Sequence, residues 1–425
     1  MSKKYITLRE GFDYLYVGEG ENKVTEREFQ SLSKYIEDSL SSQLVVFGDK
    51  KLKFINYVGV IALDNLVIEI LPKISLSGEV LEDRKVLLFM LSKCRKINIK
   101  TLDFIGSNLK NNPLIDIMGE IFYRDLSREL QRGIYSEYVS VENSIGNIKG
   151  KLLVTKHSKV NRFNKNKAYC AYDEFTEDNF FNRILKKALI YLLREVRNER
   201  LKSNLRVLDR SFEEVSDKFI NKHALNRYKL NRRNERFKNS FELAKMILNG
   251  SMGDNSKGKE FGFTLLFEMN YLYEEYIGVV LREVISEENI FVSTQEKTKY
   301  LLYNKKRKRE EIALKPDIVI YKDETPKIII DTKWKKGSRN GKENYSQGDV
   351  YQMYAYITSY KECEKCVLLY PKEEDEGNVI WNLKGYQDKK IFMRSVDLSS
   401  YERTKEILKD IVKLEAFESN SCLVM

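Results

Sequence analysis

Two histidines among 425 residues leave little material for imidazole-based hydrolytic machinery. Ser-His-Asp and Cys-His arrangements are therefore disfavoured, whereas chemistry run by carboxylates, a metal ion and lysine needs no histidine. Cysteine is nearly as scarce. Five thiols, at 94, 170, 363, 366 and 422, are an odd number, widely scattered, and suggest no disulfide framework. Cys363 and Cys366 form a lone CxxC. His157 and His223 are distant in sequence, so a zinc site there would lack further ligands, and two reduced thiols near a strand start are expected instead. Five prolines and 12% aromatic residues argue against a long disordered tract. No apolar run reaches the roughly eighteen residues of a membrane span. The charged start MSKKYITLREGF also lacks the apolar core of a signal peptide. A cytoplasmic protein with no membrane association is expected.

What is abundant is positive charge and length. A net charge of +11 makes a polyanionic partner plausible without proving one. The length allows two or three domains with sizeable cores. Residues 1–125 read as β-rich, from apolar runs such as SQLVVFG, LKFINYVGVIAL and LVIEIL, with KVLLFMLSKC a helix after them. From Thr176 to about Asn249 the pattern turns helical, with Phe181, Ile184, Leu185, Ala188, Leu192 and Val196 on one face. Asp173, Glu174, Glu177 and Asp178 precede that face and suit a helix N-terminus better than a metal site. Glycines at 250, 253, 258 and 262 mark a boundary. The expected division is 1–125, 126–258 and 259–425.

The segment KPDIVIYKDETPKIIIDTKWK, Lys315 to Lys335, carries the most chemistry. Ile312 to Tyr321 reads as one strand and Lys327 to Trp334 as the next, with DETP supplying the turn. A turn centred near residue 324 sets Asp317 opposite Asp331. Side chains alternate along a strand, so Asp331 and Lys333 share a face while Thr332 and Trp334 take the other. Two carboxylates this close repel unless a cation lies between them, and hard oxygen ligands favour Mg²⁺ or Mn²⁺ over zinc. The lysine can hold an attacking water and offset charge on a phosphorane. The plain alternative is a solvated hairpin with ordinary surface charges. Against it, Asp331 directly follows Ile328, Ile329 and Ile330, where a bare charge ending a buried strand is costly.

Pro316-Asp317 and Asp331-Thr332-Lys333 resemble the two halves of the PD-(D/E)xK nuclease signature. DVYQMYAYI adds Gln352 and Tyr356, four apart on one helical face, similar to the QxxxY element of the RecB-like branch. Upstream, FTLLFEMNYLYEEYIGVVLREV reads as an amphipathic helix with Leu265, Met269, Leu272, Tyr276 and Val280 along one stripe. The resemblance makes Glu274, off that stripe, a candidate third metal carboxylate; a solvated helix-face glutamate like Glu275 is the alternative. Helix packing is likewise the alternative for Gln352 and Tyr356.

LLFEMNYLYEEYI, KPDIVI, IIDTKWK and DVYQMYAYI, with NYVGVIALDNLVIEILPKI, GNIKGKLLVTKH and YDEFTEDNFFNRILKKAL before them, resemble blocks of the McrC family in their order. That family supplies the nuclease subunit of McrBC-type 5-methylcytosine restriction systems. The resemblance implies an α+β N-terminal assembly region, β-rich then helical, followed by an α/β nuclease domain with a central mixed sheet flanked by helices. It implies an McrB-like AAA+ GTPase partner, DNA as substrate, and recognition of modified cytosine in the partner. Asp317, Asp331 and Glu274 are then the candidate Mg²⁺ (or Mn²⁺) ligands, with the Thr332 carbonyl an additional one. Lys333, Gln352 and Tyr356 join the two aspartates as catalytic candidates. A non-catalytic adaptor that stimulates the GTPase is the competing reading, and a stand-alone DNA-binding repair protein a third.

Lys305, Lys306, Arg307, Lys308 and Arg309 immediately precede the first strand and are expected to steer DNA, with Lys335 and Lys336 beside the site. A solvated hairpin tip explains the same run. NRYKLNRRNERFK, Asn226 to Lys238, is expected to be an exposed helix face. GDNSKGK at 253–259 has P-loop spacing, but Glu260 stands where Ser or Thr is needed, and a linker is expected. The terminal CLVM, beginning at Cys422, is a chance match to a prenylation box.

Overall fold

The computed structural model describes residues 3–39, 44–72, 80–94, 112–164, 166–251, 263–335, 337–339, 342–343, 345–372 and 379–413. Residues 253–259, Lys336 and the CLVM terminus lie outside them. The architecture is mixed α/β. It divides into two compact units: one joins Met1–Asn111 to Leu266–Met425, and the other is Asn112–Leu265. The first unit is discontinuous because its N-terminal strands and its C-terminal half share buried contacts. Tyr57 donates its hydroxyl to Glu268 at 3.2 Å, and the Met269 N–H donates to the Asn56 carbonyl at 2.8 Å.

In that unit, Lys4–Arg9 runs parallel to Leu66–Leu71, which pairs antiparallel with Tyr57–Ala62, and Phe263–Glu268 completes a four-stranded sheet. All six residues of Leu66–Leu71 are buried, as expected of a central strand covered on both faces. The helix Glu26–Ser39 buries Leu32 and Ile36 in the core beneath. FTLLFEMNYLYEEYIGVVLREV is therefore not one helix. Phe263–Glu268 is a strand and the helix runs Met269–Val284, because Leu265 and Met269 are spaced as in a helix although the sheet edge takes the first.

A six-stranded mixed sheet follows, in the order Ile290–Thr294, Ile318–Lys322, Thr325–Thr332, Lys365–Pro371, Lys390–Val396, Val379–Asn382. Its middle pairings are parallel and its outer ones antiparallel. The helix Gln347–Ser359 covers one face, packing Met353, Tyr356 and Ile357 on Val319, Ile329 and Leu368. Met269–Val284 packs on the other, where Tyr273 meets the Trp334 ring at 5.4 Å. The expected strand Ile312 to Tyr321 is broken. Arg309–Ala313 pairs instead with Tyr300–Asn304 in a separate ribbon, and Ile318–Lys322 begins after Pro316.

The second unit holds a three-stranded sheet, Glu137–Ile145, Ala168–Thr176 and Lys151–Leu152, and a helical part. The expected apolar face of Phe180–Glu195 is buried throughout. Its cap, however, is Asn179, which accepts from the Asn182 N–H at 3.0 Å, while Asp173 and Glu174 lie in a strand. Within 226–238 only the end of Lys222–Arg227 and the short turn Glu235–Phe237 are helical before the next helix begins. Among the described residues no helix is long and apolar enough to cross a membrane.

Candidate active site

The hairpin turn is two residues, Asp323 and Glu324, both at positive φ (50° and 61°), as a tight turn of this twist requires. Its register is Ile318↔Ile330, Val319↔Ile329 and Ile320↔Ile328, with an irregularity nearer the turn. Carried one step past the ladder, that register sets Asp317 beside Asp331. Asp317 Oδ2 accepts the backbone N–H of Thr332 at 2.7 Å and its hydroxyl at 2.8 Å, which fixes the carboxylate across the strand ends.

Asp331 is 1% exposed. Its Oδ2 lies 2.5 Å from Lys333 Nζ, an ion pair at a buried oxygen. Burial and the neighbouring Asp317 charge push the Asp331 carboxyl well above the usual range, and Lys333 only partly offsets them. Asp317 is raised too, mainly by burial, against the pull of Thr332. Glu274, on the Met269–Val284 helix, is pushed up to about 7 by burial and by Asp317, with Asp331 adding to it. These three carboxylates therefore sense one another. Among the described residues, however, no three acidic, histidine or cysteine side chains close into a metal cage.

Burial pulls the Lys333 ammonium down, but Asp331, Asp349 and Asp317 outweigh it and its pKa is raised. The group is a cation at neutral pH. A relay fixes its direction: Lys333 Nζ donates to Gln352 Oε1 at 3.0 Å, Gln352 Nε2 donates to Tyr356 Oη at 2.8 Å, and Tyr356 Oη donates to the Lys315 carbonyl at 2.8 Å. Because Tyr356 spends its proton on Lys315, it can only accept from Gln352, and the amide must turn its oxygen to the lysine.

One residue of the constellation was not singled out from the sequence. Asp349 lies 4.0 Å from Lys333 Nζ and accepts from Lys335 Nζ at 2.5 Å, while forming a capping box with Ser346 at the start of the Gln347–Ser359 helix. The S-x-x-D spacing carried that signal. The structure thus brings Asp317, Asp331, Lys333, Gln352 and Tyr356 together, with Glu274 within electrostatic reach and Lys335 alongside. Lys305 to Arg309 stand apart, at the tip of the Tyr300–Ala313 ribbon. Cys363 and Cys366 are buried thiols in the core under the helix.

The sequence profile of the McrBC 5-methylcytosine restriction system component family matches residues 52–371. No curated protein matches the chain. Among solved structures, the chain is similar to one described as a refined half-complex from a tetradecameric assembly of Thermococcus gammatolerans McrB AAA+ hexamers with bound McrC. Identity is 21% and the TM-score 0.70, over 96% of this chain and 100% of that one. A cryo-EM structure of the Thermococcus gammatolerans McrBC complex aligns at 24% identity and TM-score 0.49, over 67% of this chain and 89% of that one.

Proposed function

Because the chain belongs to the family of McrBC 5-methylcytosine restriction system components, we propose that it is the Mg²⁺-dependent endonuclease subunit of a modification-dependent restriction complex. It cuts DNA when assembled on an McrB-like AAA+ GTPase, whose GTP turnover it stimulates. The observation that carries this reading is the meeting of Asp317, Asp331 and a locked Lys333 at the ends of adjacent strands. The partner is inferred from the half-complex in which McrC is bound to McrB hexamers.

The donor set fits Mg²⁺, with Mn²⁺ as a substitute. It offers hard carboxylate oxygens, one pair of them almost wholly buried, and a mutual repulsion that a dication removes. Asp317 and Asp331 would hold the ion, with Glu274 and the Thr332 carbonyl as further oxygens. When bound, it supplies Lewis-acid polarisation of the phosphoryl oxygen and lowers the pKa of bound water.

The side chains do the rest. Lys333, being charged, donates: it holds the attacking water and offsets negative charge as the phosphorane forms. Gln352 and Tyr356 keep that ammonium aimed at one point. Thr332 pins Asp317 so that the two carboxylates stay apart by a fixed amount. Lys335, Lys336 and the basic ribbon tip at 305–309 hold the DNA backbone.

The test combines the chain with its AAA+ GTPase, GTP, Mg²⁺ and methylated DNA, and repeats it with Asp331→Ala. Loss of cutting with GTPase stimulation retained is the expected result. A wild-type chain that accelerates GTP turnover but never cuts is instead an adaptor.

A further inference from the structure

The run Lys305 to Arg309 ends a two-stranded antiparallel ribbon, Tyr300–Asn304 with Arg309–Ala313, that belongs to no larger sheet. Its turn is built rather than loose. Asn304 Oδ1 accepts the backbone N–H groups of Lys306 and Arg307 at 3.1 and 3.0 Å, and Lys308 takes φ +49°. Glu311 is drawn back along the ribbon by Arg309 at 3.1 Å and Arg307 at 3.5 Å, whereas Lys305, Lys306 and Lys308 have no carboxylate partner among the described residues.

Behind this cationic tip both sides of the ribbon carry exposed apolar residues, with Glu310 opposite Tyr303 and Glu311 opposite Leu302. Strand alternation sets Leu301 and Tyr303 on one face and Tyr300 and Leu302 on the other, and each of these and Ile312 is between 42% and 62% exposed. A two-stranded ribbon has no core of its own, so this exposed apolar surface serves no packing here and marks a contact surface. The ribbon's base, by contrast, is anchored at the site. The Leu314 N–H donates to the Lys299 carbonyl at 2.8 Å, Leu314 lies in the core with Met353 and Tyr356, and the Gln295 N–H donates to the Asp317 carbonyl at 2.9 Å.

We propose that this ribbon enters the major groove of duplex DNA beside the phosphate to be cut, with Lys305, Lys306 and Lys308 on the flanking backbone and the apolar side chains against base edges and sugars. The inference rests on the nuclease reading for the presence of DNA at Asp317. A two-stranded ribbon fits the major groove, about 12 Å wide, and not the minor groove, about 6 Å wide. The three lysines of the tip without a carboxylate partner among the described residues select phosphate over an apolar protein surface.

The test uses the full chain carrying Asp331→Ala, so that DNA survives, and labelled duplex in a binding titration across salt concentrations. Lys305→Ala, Lys306→Ala and Lys308→Ala together are expected to make the slope of log affinity against log salt shallower by about 2 to 3, because each phosphate contact contributes roughly 0.9. Leu301→Ser with Tyr303→Ser is expected to weaken binding several-fold at unchanged slope, and melting curves should match the parent since the ribbon holds no core. Duplex whose major groove is filled by glucosylated hydroxymethylcytosine should bind poorly, whereas netropsin in the minor groove should not compete. An unchanged slope, no binding of duplex at all, or competition by netropsin alone overturns the proposal. So do ribbon variants that bind DNA normally but lose GTPase stimulation, because the ribbon then faces the protein partner. Cutting by the unsubstituted chain with its GTPase is scored separately: a chain that binds through the ribbon yet never cuts supports the ribbon and sinks the nuclease reading.

Discussion

Trp334 donates its indole N–H to Oε1 of Glu10 at 2.8 Å, joining the residue after Lys333 to a carboxylate near the start of the chain. Oε2 of the same group accepts the Asn56 N–H at 2.8 Å, and Glu10 is wholly buried. Trp334→Phe keeps a ring against Tyr273 but leaves a buried carboxylate short of a donor. It is expected to cost about 2 kcal/mol, read as a lower urea midpoint by circular dichroism. An unchanged midpoint means that the contact holds nothing.

The Lys333–Gln352–Tyr356 relay makes a graded prediction. Gln352→Leu removes the acceptor that aims the ammonium and should lower the cutting rate about 100-fold, the scale of a displacement of about 1 Å at a reacting group. Tyr356→Phe leaves Gln352 in place but free to flip, and a loss of roughly tenfold is expected. GTPase stimulation should persist in both, since both changes are confined to the groups that aim Lys333. Equal rates for wild type and Gln352→Leu would remove the relay from the mechanism.

The local part of this arrangement was legible in the sequence because it obeys local rules. A two-residue turn fixes a register, and period-two alternation then sets Asp331 and Lys333 on one face. The four-residue spacing of Gln352 and Tyr356 likewise set them on one turn of a helix. What failed had competing local signals. Phe263–Glu268 carries apolar residues at helical spacing and became a strand because a sheet edge was open to it. The Ile312 to Tyr321 run looks continuous, but Ile312 is held at φ +61° and Pro316 interrupts the pairing. The joining of the two ends of the chain had no local signal, since a contact such as Glu10 to Trp334 spans the whole second unit in sequence.

Metal-free stability should fall as pH rises through the range set by Glu274. Its folded value of about 7 lies above its ordinary value of 4.5, so the folded state prefers the protonated form. The stability this contributes is fully present below about pH 4.5 and is lost as pH approaches 7. In EDTA, Glu274→Gln should therefore melt at a higher temperature than wild type at pH 8 and at the same temperature at pH 4. Parallel melting profiles across that range would show that neither burial nor the aspartates raise the Glu274 carboxyl.

Lys389 anchors the helix that carries Gln352. Its ammonium donates to the carbonyls of Ile357 at 2.7 Å, Lys361 at 3.0 Å and Cys363 at 2.7 Å, with Tyr360 at 3.4 Å, closing the C-terminal end of Gln347–Ser359. Lys389→Met should cost about 2 kcal/mol through the carbonyls left without a donor. The melting temperature should drop while cutting per folded molecule stays near wild type. A fall in rate without a fall in melting temperature would give Lys389 a different role.

Mg²⁺ should stabilise the chain before any DNA is present, because Asp317 and Asp331 repel in its absence. At about 100 times its dissociation constant a specific ion contributes about 2.7 kcal/mol, which a thermal shift resolves. Asp331→Asn removes the charge on the buried ligand, so this variant should melt higher than wild type in EDTA and gain little when Mg²⁺ is added. Wild type should cross over it as the ion is titrated, and Mn²⁺ should reproduce the effect. If Mg²⁺ shifts both proteins equally, the ion binds elsewhere on the chain, and the aspartate pair does not hold it.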